Sequence, residues 1–230
     1  VRKEYDFMYD KVHNYHTRIY MDKGFMKTID KHFEICSKNL LNNQFAVDIL
    51  ESKEDVIPFL ESVIENGSSV GVGGSITLDQ CNIVKWLEKK EDIDYIDRYN
   101  TDDRHKAMQG HLTCNVYITS SNAVLLSGGL YNVDGTGNRV SALTYGPDKV
   151  YVIVGYNKIV SDLDAAIERV ERHAAVANNF RLNKDNPCTK TGKCVLCNTP
   201  STICNTYVYT RRCYAKDRIH VVLVKESLGY

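Results

Sequence analysis

Lys149-Val150-Tyr151-Val152-Ile153-Val154 constrains this chain more than any other short segment. The run is almost unbroken in β-branched and aromatic side chains and lacks the alternation of a strand with one wet face. Such a strand must be covered on both sides, as in parallel sheets flanked by helices. The rest of the sequence agrees. Phe45 to Leu50, Ser69 to Val72, Cys114 to Thr119, Ala123 to Leu126, Leu130 to Val133, Cys204 to Arg211 and Ile219 to Val224 read as strands, with a shorter one around Ile93–Ile96. Ser52 and Asp55 resemble a capping box, and Val56, Ile57, Phe59, Leu60, Val63 and Ile64 follow at helical spacing. Ile76 to Lys90 reads as one helix carrying Trp86. Ser161 would cap an amphipathic helix with Leu163, Ala166, Ile167, Val170 and Ala174 on one face. Ser127-Gly128-Gly129 suits a hairpin turn, because paired glycines supply positive φ. Strands alternating with helices predict an α/β layered fold.

Residues 5 to 43 read as helical, with a break at Gly24. The organisation expected is a helical segment over 1–43 and an α/β domain over 44–230, carrying a Cys-rich insertion at 187–205. Composition bounds the partners. The 230 residues hold 29 Lys+Arg against 29 Asp+Glu, so no global basic field draws the chain to nucleic acid or an anionic membrane. No apolar run approaches the ~20 residues of a spanning helix. The first residues, Val1-Arg2-Lys3-Glu4-Tyr5-Asp6, hold no apolar signal core, so a cytoplasmic protein is expected.

Chemistry has three candidate seats. The first is Gly71-Val72-Gly73-Gly74-Ser75-Ile76-Thr77, between a strand and a helix. Glycines there let backbone amides turn toward a phosphate or carboxylate. The dinucleotide fingerprint does not fit, because Ile76 stands where a third glycine belongs, and no Gly-Lys-Ser/Thr follows to make a P-loop. The plainer alternative is a tight turn capped by Ser75. The second seat is Asp134-Gly135-Thr136-Gly137-Asn138-Arg139, again after a strand, where Arg139 suits a bidentate contact with an anion. The alternative is a turn in which Asp134 and Asn138 bond their own backbone and Arg139 pairs with an acid. Ser120-Ser121-Asn122 ends a third strand, and in open α/β sheets such ends converge on the ligand crevice.

The third seat is Cys188, Cys194, Cys197 and Cys204, half of the eight cysteines. Without an export signal, reduced or metal-bound thiols are expected rather than disulfides. The Cys-x-x-Cys pair can place two thiolates on one metal and the outer two can complete the set. The spacing is near those of zinc and of iron–sulfur clusters without matching either. A reduced Cys-rich loop, or a disulfide on oxidation, is the alternative. His13, His16, His32, His105, His111 and His220 form no triad, and the acids form no diagnostic pair for glycoside chemistry. The tyrosines lack the basic stripe of a base-stacking surface.

Several blocks together resemble a known family. They are Thr119-Ser120-Ser121-Asn122-Ala123, Asn132-Val133-Asp134-Gly135-Thr136-Gly137-Asn138-Arg139-Val140, Tyr145-Gly146-Pro147 and Gly155-Tyr156-Asn157-Lys158-Ile159-Val160. They resemble the LUD-domain family, also called lactate-utilisation protein C or YkgG-like. Gly71-Val72-Gly73-Gly74-Ser75 and the Cys-rich tail through Arg218-Ile219-His220-Val221 are similar to a cysteine-bearing branch of it. The resemblance covers roughly residues 40 to 230. It implies a fold like that of ribose-5-phosphate isomerase, glucosamine-6-phosphate deaminase and the CoA transferases, whose ligands sit on glycine-rich loops at strand ends. It also implies a place in bacterial systems that oxidise L-lactate to pyruvate beside iron–sulfur oxidoreductase subunits. The catalytic glutamate of the CoA transferases and the acidic loop of the isomerases have no counterpart here, so those activities are not carried over. Two readings follow. One is a lactate-utilisation component binding a small organic acid or a phosphorylated ligand; the other is an independent enzyme on a sugar-phosphate, folate or CoA-type substrate.

Overall fold

A computed structural model describes residues 22–230. In chain order its strands are β1 (Ala46–Leu50), β2 (Ser69–Val72), β3 (Asp94–Tyr95), β4 (Val116–Thr119), β5 (Ala123–Leu125), β6 (Gly129–Asp134), β7 (Lys149–Gly155), β8 (Ile159–Val160), β9 (Thr206–Thr210) and β10 (Ile219–Val224). Its helices are α1 (Lys23–Asn42), α2 (Val56–Val63), α3 (Ile76–Gln80), α4 (Ile83–Leu87), α5 (Arg104–Gly110), α6 (Asn138–Thr144), α7 (Leu163–Arg169), α8 (Ala175–Arg181) and α9 (Cys188–Thr191).

Six strands form one parallel sheet in the order β1-β10-β7-β4-β2-β3. The apolar run is β7, near its middle, and alternate side chains serve two cores. Val150, Val152 and Val154 face Phe33, Cys36 and Leu40 of α1. Tyr151 and Ile153 face Leu60 of α2, Leu78 of α3 and Ile83 and Leu87 of α4. Full burial of side chains this size contributes about 1.5–3 kcal/mol each, which is why an alternating pattern would have failed here.

A second sheet, in the order β8-β5-β6-β9, lies beyond the α1 face. Val124 and Leu130 point into the core shared with β7. Ala123, Leu125 and Tyr131 point the other way, onto Ala166, Val170 and Ala175 of the long helix that runs from α7 through a π-helical turn (Val170–Ala174) into α8. The β5–β6 hairpin turns at Gly128, whose φ is 83°.

Two details differ from the sequence reading. Ile76 to Lys90 is two short helices, because Asn82 takes a left-handed backbone (φ 54°) between α3 and α4. The cap of α7 is Asp162, whose carboxylate accepts from the Ala165 N–H at 2.9 Å, while the Ser161 hydroxyl donates to that carboxylate. Gly24 lies in the first turn of α1, which Asp22 caps and which runs unbroken to Asn42. The expected helix upstream, with His13 and His16, lies outside the described residues. The Ser52–Asp55 capping box forms as read. Among the described residues no helix is long and apolar enough to cross a membrane.

Candidate functional site

After β2 the chain turns out to β3 at one edge, then returns to place β4 on the other side of β2. Such a reversal opens a crevice beyond the carboxyl ends of the strands. A cavity of about 250 Å³ lies there. Gly74 and Ser75 after β2, Ser120, Ser121 and Asn122 after β4, and Asp134, Gly135, Thr136, Asn138 and Arg139 after β6 all reach its wall. Three loops far apart in sequence therefore share one site. Gly71, Gly73, Thr77 and Gly137 stand behind this wall rather than on it.

The glycines of the first loop are required by their neighbours. A Cβ on Gly73 would stand 2.5 Å from the Thr119 hydroxyl oxygen, and one on Gly74 would strike the Arg98 guanidinium. Ser75 caps α3, its hydroxyl accepting from the Thr77 N–H at 3.2 Å.

The second loop is held by side chains. The Asp134 carboxylate accepts from the backbone N–H groups of Gly135, Arg139 and Val140 at 2.9–3.1 Å, which starts α6. The Arg139 guanidinium turns inward. One terminal nitrogen donates to the Ser120 carbonyl (3.0 Å) and Asn132 Oδ1 (2.6 Å), the other to Asn122 Oδ1 (3.1 Å) and the Val133 carbonyl (3.0 Å). Burial draws its pKa below the usual arginine value, with the Asp134 carboxylate opposing. With both terminal nitrogens engaged, Arg139 is a fixed positive charge that locks the second sheet to the end of β4. A bidentate grip on a ligand would require it to release those partners.

Lys158 was not singled out from sequence, and it is the most unusual group in the crevice. It follows β7 in a tight turn and is 2% exposed. Its Nζ donates to the Thr77 hydroxyl at 2.8 Å and the Ser120 hydroxyl at 3.0 Å. The ends of three adjacent strands, β7, β4 and β2, are thus joined through one amine. Burial, then the charges of Arg169 and Arg139, pull its pKa down to about 7, with Cys81 opposing. Arg169 itself is held by the carbonyls of Asn157 and Asn122 at 3.0 and 2.7 Å.

Arg98, Arg104 and Arg181 also reach the cavity, so five cationic side chains surround it. Asp134 is the single acid among the described residues of its wall, and backbone amides already occupy its carboxylate. Arg98 is 9% exposed; it donates to the Tyr99 hydroxyl at 2.8 Å, and its buried Nε finds no partner among the described residues. Arg98 and Arg104 flank or lie in a mixed-charge stretch that reads as solvated, and Arg181 is near the end of an amphipathic helix. No local signal marks any of them.

The four clustered cysteines lie apart from this crevice, around a second cavity of about 140 Å³. Among the described residues no three His, Cys, Asp or Glu side chains are drawn together in the geometry of a metal site. Of the histidines, His111 is buried with Nε2 against the Ile96 carbonyl at 2.9 Å, and His220 pairs with Asp48 at 2.7 Å. Neither reaches the crevice.

Comparison with curated proteins gives no significant match. A crystal structure described as a DUF162 family protein from Deinococcus radiodurans is similar in fold, with 14% identity over 86% of this chain and 98% of that one, and a TM-score of 0.49. The family model for the LUD domain matches residues 33–224, from Phe33 in the middle of α1 to the last residue of β10, and the chain belongs to the LUD-domain family.

Proposed function

We propose that the crevice binds a small organic anion, of the size of lactate or pyruvate, and that the protein serves as a component of L-lactate oxidation to pyruvate. The observation that carries this reading is the imbalance of charge: five cations face a cavity whose one acid is already committed. A carboxylate or phosphate entering there gains charge-assisted hydrogen bonds with Arg98 and Lys158 at reduced dielectric. The cavity, about 250 Å³, falls below the ~300–1,000 Å³ usual for drug-sized ligands. That size favours a compact acid over a whole CoA or folate. The alternative of an independent enzyme draws its support from Lys158, since an amine poised near neutrality can accept a proton from a bound substrate. An iron–sulfur oxidoreductase partner rests on the family resemblance alone.

Calorimetry with lactate, pyruvate, phosphate and sugar phosphates tests the reading. Lys158 is charged below about pH 7 and neutral above, so affinity for lactate or pyruvate, ionised throughout this range, should fall as pH rises from 6 to 8.5. Lys158→Met should flatten that dependence. Arg98→Met should weaken binding by about 1.5–3 kcal/mol. Absence of binding by every compound, or a flat pH profile in the unaltered protein, would remove the proposal.

A further inference from the structure

We propose that Cys188, Cys194, Cys197 and Cys204 hold one thiophilic metal centre through four thiolates. Three features of the fold carry this. First, the four side chains come from α9, from the Cys-x-x-Cys turn after it and from the approach to β9, yet line the same cavity of about 140 Å³, walled by Ala175, Asn179 and Tyr207. Cys204 lies within electrostatic reach of all three of the others.

Second, the Cys-x-x-Cys turn has the shape a bound sulfur requires. Leu196 takes a left-handed backbone, φ 50°, and its N–H points back to Cys194 Sγ at 3.4 Å. A non-glycine residue is strained in that conformation, and Leu196 gains no burial in return, being 72% exposed. What the turn achieves is an amide donor aimed at a sulfur.

Third, the loop is held by a few point contacts and has no regular structure of its own. Asn186, 1% exposed, donates to Asn179 Oδ1 and the Ser201 carbonyl and accepts from Thr199 and Ser201, and the Cys194 N–H donates to the Glu171 carbonyl at 2.9 Å. Residues 193–205, which include Cys194, Thr199 and Ser201, carry no helix or strand. The other cysteines contrast with this. Cys36, Cys114 and Cys213 are embedded in one apolar core and Cys81 in another, each beside aliphatic or aromatic neighbours rather than other sulfurs.

The sulfurs are not yet gathered at ligand distance. Metal binding therefore requires the side chains and the loop to move onto the ion, and the binding free energy orders the segment. The thiol protons are released as the metal enters. Four thiolates suit tetrahedral zinc and also an iron–sulfur cluster; thiolate ligation is the shared chemistry.

The test is elemental analysis with visible absorption on the full chain, purified without oxygen. One zinc per chain in a colourless protein, or iron with sulfide and visible absorption, is expected. Cys194→Ser with Cys197→Ser should lose that metal, and Cys213→Ser, in the core, should keep it. Should the double variant fail to fold, stepwise mercurial titration of the unaltered protein should release the metal as four thiols react. Metal-free protein that takes up neither added zinc nor iron with sulfide overturns the proposal. So does equal metal content in the double variant.

Discussion

In the loop after β2 glycine is demanded by neighbours, whereas in the loop after β6 it is demanded by the backbone. Gly73 lies against Thr119 and Tyr117, and Gly71, within β2 just before the loop, lies against the His111 ring, where an added Cβ would meet ring carbon at 2.7 Å. Gly137 has ample room, its nearest neighbour 3.8 Å from an added Cβ, but sits at φ 81°. Gly135 has neither demand, with ordinary contact at 3.4 Å. The first loop is therefore shaped from outside, by strands β2 and β4 in contact. The second is shaped from within, by the Asp134 carboxylate and the inward Arg139. Two stretches of similar composition border one crevice for different physical reasons.

The sharpest way to break this contrast is Arg139→Met. It removes four hydrogen bonds, from the Ser120 and Val133 carbonyls and from the Asn122 and Asn132 side-chain oxygens, leaving each of those two oxygens a single backbone N–H donor. Urea denaturation should show a loss of about 3 kcal/mol or more; a loss below about 1 kcal/mol would mean that the second loop holds its own shape. A glycine series grades the rest. Gly73→Ala should destabilise by about 2 kcal/mol through overpacking, Gly137→Ala by about 1 kcal/mol through its positive φ, and Gly135→Ala by no more than about 0.5 kcal/mol. Reversal of the first and last would show the two loops to be alike after all. Gly74→Ala has the smallest effect on folding, because the obstacle is the movable end of Arg98. Its signature belongs in calorimetry, where displacing Arg98 should weaken anion binding while the denaturation midpoint stays within about 0.5 kcal/mol of the original.

The parallel core was legible because the covering of a strand is written in its own residues: β7 shows no wet side, and both its faces are buried. The loops at the strand ends could be found for a similar reason, since glycine and Asx residues declare turns locally. Lys158 could not. In sequence it is a polar residue after Asn157, as any solvated turn might carry, and its burial comes from Thr77 and Ser120, 81 and 38 positions away. Arg98 is hidden likewise in a charged stretch. The division of the helix at Asn82 escaped because apolar spacing continues across it, while a single left-handed residue turns the axis.

The last strand in sequence has one further consequence. β10 lies between β1 and β7, pairing Ala46 with His220 on one side and Val150 with Ile219 on the other. Asp48 and His220, which touch across that seam, are 172 residues apart. Until residues 219–224 leave the ribosome, β1 and β7 each present an unpaired row of amides and carbonyls. Open parallel edges of this kind fold slowly and attract foreign strands. A nascent chain that stalls before Ile219 therefore leaves two unpaired parallel edges, those of β1 and β7, where its main sheet should be continuous.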